Sequence, residues 1–296
     1  MDFYIVDVFA EAKYAGNQLA VFFGEGVSSL SDEEMLEIAQ EMNYSETTFI
    51  RSEGMVDGGY DVRIFTPSKE LPFAGHPTLG TAYIIQREMI KKPVDQVVLN
   101  LGVGQIPVTW SNGNTDQELL WMRPSNPVFY NCLNPAYVAP VLGLEMADFD
   151  DNFPIQEVST GIPFLIVPLK NKRALKQAKV NLEHYFEFIK NINTKEIFVF
   201  CPEPYDMENN ISARMFAPAL GITEDPATGS ANSCLAGYLV HNSYYNRDNI
   251  SVRVEQGYEI NRPSLLFLKG EKKVGDEIEV MVGGKVVAIA KGEWLN

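Results

Sequence analysis

The stretch Val62–Ile85 reads VRIFTPSKELPFAGHPTLGTAYII, and a second stretch, Ala213–Leu239, reads ARMFAPALGITEDPATGSANSCLAGYL. Each opens with a β-branched and aromatic run, passes through a segment of Pro, Gly and small residues, and ends in an apolar run of helical character. Arg63, Phe65 and Pro67 match Arg214, Phe216 and Pro218 at an offset of 151. After a two-residue length difference, Pro77, Gly80 and Ala82 match Pro226, Gly229 and Ala231. Six matches in one order are a poor product of chance.

Other segments extend the match. GNQLAVFF (16–23) echoes GIPFLIVPL (161–169), SETTFI (45–50) echoes TKEIFVF (194–200), and GVGQIPVTW (102–110) loosely echoes VEQGYEINRPSLLF (254–267). A period near 150 residues is too long for a solenoid and suits two copies of one domain. The expected boundaries are 1–122 and 123–282, with the last strand, about 283–296, crossing back to the first domain. A duplication without a shared site is the alternative reading.

The composition fits a packed globular chain: of 296 residues, 46% are hydrophobic and 21% charged. A net charge of -15 repels a phosphate backbone, so no nucleic-acid partner is expected. The basic run KNKRALKQAK (170–179) reads as a solvated face rather than a binding patch. Three cysteines, Cys132, Cys201 and Cys234, with no CxxC, exclude a disulfide framework and a structural zinc site. The start MDFYIVDVFA lacks the basic region of a signal peptide, and no apolar run approaches 18 residues. A soluble cytoplasmic protein with no membrane partner is the expectation.

The elements read as mixed α and β. DFYIVDVFA, NQLAVFF, ETTFI, GYDVRIF and DQVVLNL read as strands. Ser31 and Glu34 form a capping box ahead of a helix at 32–42. Two further helices, 78–89 and 228–240, follow the Pro–small–Gly segments. The spacing does not suit a doubly wound sheet, and the expected architecture is a curved, mostly antiparallel or mixed sheet around one central helix per half.

Each central helix is expected to open with its Pro–small–Gly segment, with Pro77 or Pro226 at the entry, because proline lacks an N–H that a helix start would leave unpaired. The unpaired N–H groups and positive dipole end of such starts seat a carboxylate, with Ser230 adding a hydroxyl and Thr78 and Thr228 available to cap or bind. His76 precedes Pro77 and Asp225 precedes Pro226, so the duplication is read as placing a histidine and an aspartate at matching positions. Glu46, at a strand start, either faces solvent or points into an apolar cleft, where desolvation would let it carry a proton near neutrality. Asn17, in GNQ, either lines a cleft or makes an Asx turn.

Together, DVFAEAKYAGNQLAVF (7–22), NYSETTFI (43–50), RIFTPSKELPFAGHPTLG (63–80), RMFAPALGITEDPATGSA (214–231) and QGYEINRPS (256–264) resemble the PhzF-like isomerase family of phenazine biosynthesis, within the diaminopimelate epimerase-like fold. The resemblance implies an α+β fold of two pseudo-symmetric domains, each a sheet rolled around a central helix, with the active site between them. It also implies a homodimer that uses neither cofactor nor metal. It places the catalytic glutamate on Glu46, the active-site histidine and aspartate on His76 and Asp225, and the small residues of the helix starts on Gly75, Gly229 and Ser230. It implies proton transfer on a small carboxylic acid, as in the isomerisation of trans-2,3-dihydro-3-hydroxyanthranilate, with Glu46 as base and then acid. Neither active loop holds a cysteine, and Cys234 reads as a core residue, which disfavours a cysteine-pair racemase. An epimerase or racemase of another amino or hydroxy acid, and a non-catalytic binding protein that keeps the cleft, remain the alternatives.

Overall fold

The computed structural model describes residues 1–111 and 118–295. Two compact units emerge: Met1–Arg123 with Gly283–Asn296, and Pro124–Val282.

In the first unit, β1 (Asp2–Val8) lies antiparallel to β2 (Asn17–Phe23) and to β18 (Val286–Glu293) from the chain's end. β2 runs parallel to β3 (Glu46–Ile50), and α1 (Asp32–Met42) supplies the crossover that a parallel pair requires. β4 (Tyr60–Phe65) pairs antiparallel with β3 and with the short β5 (Glu70–Leu71). β4 also runs parallel to β6 (Gln96–Leu101), and α2 (Gly75–Ile84) is that crossover. β7 (Gly104–Ser111) and β8 (Leu119–Met122) complete the sheet as antiparallel neighbours.

The sheet surrounds α2, which packs against β1, β2, β3, β6, β7, β8 and β18. Such a helix needs no polar face, and nine of its ten residues are buried. Small residues let the strands approach closely: a Cβ on Gly80 would come within 2.5 Å of Leu19 Cδ2. α1 covers the other face of the sheet through Met35, Ile38 and Ala39 against Ala20, Phe22, Phe49 and Phe65. Because β2 is covered on both faces, it reads as an unbroken apolar run. Both arms of the Ser31–Glu34 capping box are present.

The second unit repeats the order of pairings. β9 (Val128–Leu133) and β11 (Pro163–Pro168) flank β10 (Ile155–Ser159), both antiparallel to it, with α3 (Pro135–Leu142) between β9 and β10 in the chain. β11 runs parallel to β12 (Glu196–Cys201) across α4 (Lys172–Gln177) and α5 (Leu182–Phe188). β12 pairs antiparallel with β13 (Ile211–Ala217), which takes β14 (Ile222–Asp225) antiparallel and β15 (Asn249–Gln256) parallel, across α6 (Gly229–His241). β16 (Ser264–Lys272) pairs antiparallel with β15, and β17 (Ile278–Gly284) carries the chain back to the first unit. α6 packs against β10, β11, β15 and β16, whereas α3, α4 and α5 build a separate core on the opposite side with Leu165, Val167, Ile197 and Val199.

One arginine per unit ties the central strand to the short one. Arg63 on β4 makes a bidentate pair with Glu70, and Arg214 on β13 does the same with Glu224. Arg214 is buried and also donates to the carbonyls of Leu175 and Ala178 at 2.8 and 2.7 Å. The basic run at 170–179 has intramolecular partners: Lys172 donates to the Pro204 carbonyl, Arg173 pairs with Asp148, and Lys172 and Lys176 lie over the Tyr205 ring. Among the described residues, no helix is long and apolar enough to cross a membrane.

Candidate functional site

Glu46 opens β3 opposite Leu19, and His76 is the second residue of α2. His76 Nε2 and Glu46 Oε2 stand 3.4 Å apart, with side chains only 5% and 14% exposed. Burial pushes the His76 pKa down to about 3, against the opposing pull of a hydrogen bond to the Gln18 backbone. The imidazole is therefore neutral at neutral pH and has one N–H and one lone pair. Its Nε2 makes no hydrogen bond within the described residues, so the Gln18 contact belongs to Nδ1. That contact fixes the tautomer: Nδ1 donates to the backbone and Nε2 presents its lone pair to the Glu46 carboxyl. The two atoms facing each other in this buried site leave room for one proton between them. Asn17, beside Gln18 at the start of β2, is buried at 2% exposure.

In the second unit, Asp225 is the last residue of β14 and is 5% exposed. Thr228 donates its hydroxyl to Asp225 Oδ2. Thr228 is the N-cap residue of α6, yet its side chain makes no capping hydrogen bond. Gly229 and Ser230 follow as the first two helical residues, Gly229 buried and Ser230 half-buried. The early N–H groups of α6 and α2 lack intrahelical acceptors and can receive an anion. Gly75 takes that first position in α2.

These positions correct the expected helix starts. α2 begins at Gly75, not at Pro77, and continues into a π-helical turn at Ile85–Ile90. Pro77 is the third helical residue, where a missing N–H still removes no intrahelical bond. Pro226 lies outside α6, three residues before Gly229. Thr78 does not cap; its hydroxyl donates to the Ala74 carbonyl at 2.7 Å.

The expected correspondence of His76 with Asp225 is corrected with them. Counted from the helix starts, Gly75 corresponds to Gly229 and His76 to Ser230. Glu70 and Glu224, the arginine partners, each stand five residues before those starts. Pro72 and Pro226 each stand three before, and each is closely approached by a glycine after the next long strand, Gly102 or Gly257. Asp225 therefore corresponds to Leu71. The extra residues in the second unit form the 3-10 turn Pro218–Leu220, and aligning on prolines alone puts the gap in the wrong place.

Cys234 is fully buried in α6, and burial pushes its thiol up to about 12. Among the described residues, no cluster of three or more His, Cys, Asp or Glu is arranged to hold a metal ion. A cavity of about 730 Å³ in the second unit, bordered by Cys132, Tyr137, Glu157, His184 and Phe188, includes none of the expected site residues. Sequence reading missed Gln18, whose role is carried by its backbone, and Gln256, whose amide lies against the Asp225–Thr228 turn. Gln256 stands inside the quoted QGYEINRPS, so its signal was present without a role.

The family model described as phenazine biosynthesis-like protein matches residues 6–292. The trans-2,3-dihydro-3-hydroxyanthranilate isomerase of Pseudomonas aeruginosa is 33% identical over 289 residues, covering 97% of each chain. An uncharacterized isomerase of Clostridium acetobutylicum is 32% identical over 297 residues, covering 98% of this chain and 96% of that one. Among solved structures, the Bacillus anthracis phenazine biosynthesis protein of the PhzF family matches with a TM-score of 0.90 at 27% identity, covering 100% of this chain and 99% of that one.

Proposed function

The chain belongs to the phenazine biosynthesis-like protein family, and from that premise we propose a cofactor-independent isomerase that moves a proton on a small cyclic, amino or hydroxy carboxylic acid. The observation that carries this reading is the buried contact of Glu46 with a neutral, tautomer-fixed His76 at 3.4 Å. Glu46 removes a proton from a substrate C–H, the double bond shifts, and the same carboxyl returns the proton to a second carbon. Atoms and charge balance without a redox partner. A base that then serves as acid works best when poorly hydrated and held in position, and its low exposure meets the first condition. His76 keeps an acceptor beside that carboxyl and assists the transfer. Asp225 orients the substrate's amino or hydroxyl group, and Gly75, Gly229 and Ser230 receive its carboxylate on backbone and hydroxyl donors. Asn17, buried at the start of β2, is assigned to the lining of the cleft.

The substrate class follows the Pseudomonas relative: trans-2,3-dihydro-3-hydroxyanthranilate is the first compound to test. The repeated pairing order supports a duplicated ancestor, and the working assembly is taken to be a homodimer, to be checked by light scattering. Turnover followed by NMR in D2O tests the chemistry. Glu46→Gln is expected to lower the rate by about 10²–10⁴-fold, the span of general acid–base catalysis. Full activity in that variant would remove Glu46 from the mechanism and favour a cleft that only binds. An epimerase acting through two bases would wash solvent deuterium into Cα, whereas one carboxyl that carries the proton back retains part of the original label. The inert environment of Cys234 supports the single-carboxyl reading.

A further inference from the structure

The motif QGYEINRPS has no part in the chemistry above, yet its first two residues clasp the Asp225 turn. Gln256 is 1% exposed and engages both ends of its amide. Nε2 donates to the Asp225 carbonyl at 2.9 Å and to Thr228 Oγ1 at 3.1 Å. Oε1 accepts from the Thr228 N–H at 3.2 Å and from Asn232 Nδ2 at 2.9 Å. The orientation cannot be reversed, because a backbone carbonyl only accepts and a backbone N–H only donates. Thr228 Oγ1 accepts a hydrogen bond from Gln256, and its own O–H donates to Asp225 Oδ2. The polarity of the chain from Asn232 to the Asp225 carboxylate is thus fixed by one amide.

The next residue closes the clasp. Gly257 has φ +79°, and a Cβ there would stand 2.6 Å from the Pro226 carbonyl oxygen and 2.4 Å from that of Arg262. Only glycine permits this approach of β15's end to the backbone of Pro226, the residue after Asp225. Asn232, at the other end of the chain, is fully buried and also donates to the Thr228 carbonyl at 3.0 Å. Asp225, Thr228, Asn232 and Gln256 are all buried, and in such an interior hydrogen-bond networks rigidify what they hold.

We propose that Gln256 is a positioning residue for the reaction: through Thr228, whose hydroxyl engages Oδ2, it holds the Asp225 side chain in one orientation. The proposal rests on the isomerase reading of Asp225. A misplacement of about 1 Å in such a group can cost about 10²-fold in rate.

The probe is trans-2,3-dihydro-3-hydroxyanthranilate with purified full-length protein. Gln256→Glu keeps the shape and removes the N–H donors, and Thr228→Val keeps the shape and removes the hydroxyl. Each is expected to lower kcat by about 100-fold with KM within about 3-fold, the pattern of a misaligned group rather than of lost binding. Thr228→Ser, which restores the hydroxyl, is expected to return kcat to within about 3-fold of wild type, which loss of packing alone would not predict. The proposal fails if Gln256→Glu or Thr228→Val keeps wild-type kcat, or if Thr228→Ser is as slow as Thr228→Val while folded. Should Gln256→Glu not fold, the two Thr228 variants decide. If wild type leaves the probe unchanged, the isomerase reading fails instead, and amide hydrogen exchange at 225–229 tests the clasp. It should quicken by about 10-fold or more in Thr228→Val and not in Thr228→Ser, a factor equal to the loss of about 1.4 kcal/mol of local protection. Unchanged exchange in Thr228→Val overturns it.

Discussion

Replacing His76 with Asn should flatten the acid limb of the protein's stability. In the folded chain, burial holds the His76 pKa near 3, whereas an unfolded histidine titrates near the ordinary value of 6.5. Below pH 6.5, the unfolded chain binds a proton that the folded chain does not. The stability associated with neutral His76 is fully present above that pH and is lost as pH falls toward 3, at about 1.4 kcal/mol per pH unit once both conditions hold. From pH 7 to pH 5 the loss is about 2 kcal/mol. Because Glu46 faces the ring, the comparison is made in a Glu46→Gln background, so that only the imidazole titrates at this contact. Urea unfolding of Glu46→Gln and of Glu46→Gln/His76→Asn at pH 7, 6 and 5 gives the two slopes. The first should be steeper by about 2 kcal/mol over the range, with equal m-values. Parallel slopes would mean that His76 takes up its proton within the folded state, and the picture of a neutral, tautomer-fixed acceptor would be abandoned.

Two contrasts of burial can be tested alongside it. Arg214→Lys breaks a bidentate pair and two backbone contacts in a buried setting and should cost about 3–5 kcal/mol by urea unfolding, whereas Arg63→Lys, at the corresponding exposed pair, should cost about 1 kcal/mol or less. Equal losses would show that burial does not set the value of these pairs. A maleimide at pH 8 should label the exposed Cys132 in the native protein and leave Cys234 unlabelled until unfolding, because burial keeps that thiol protonated. Prompt native labelling of Cys234, read by peptide mass spectrometry, would reopen the cysteine-based reading.

The parts of this molecule legible from sequence are those whose causes are local. The Ser31–Glu34 capping box lies within four residues, and both of its arms form. The mixed α+β class follows from strand runs interrupted by a few helical segments. Positions decided by distant partners were not legible. Proline is compatible with a turn, with the first helical residue and with the third, so Pro77 and Pro226 did not mark equivalent sites. The register is decided by Glu70 on Arg63, Glu224 on Arg214, and the glycines that meet Pro72 and Pro226, all contacts between separate elements. With that register, the two helix starts present the same backbone donors but different second residues, an imidazole at His76 and a hydroxyl at Ser230. The aspartate lies one element earlier, on β14. The corrected register therefore replaces a symmetric His–Asp pair with two unlike devices. One is a neutral ring held by Gln18 against a carboxyl; the other is a carboxylate held by a threonine whose proton is directed by Gln256. An isomerase that lifts and returns one proton needs one proton carrier, not two related by symmetry, and a second acid fixed as an acceptor suits orientation better than proton transfer.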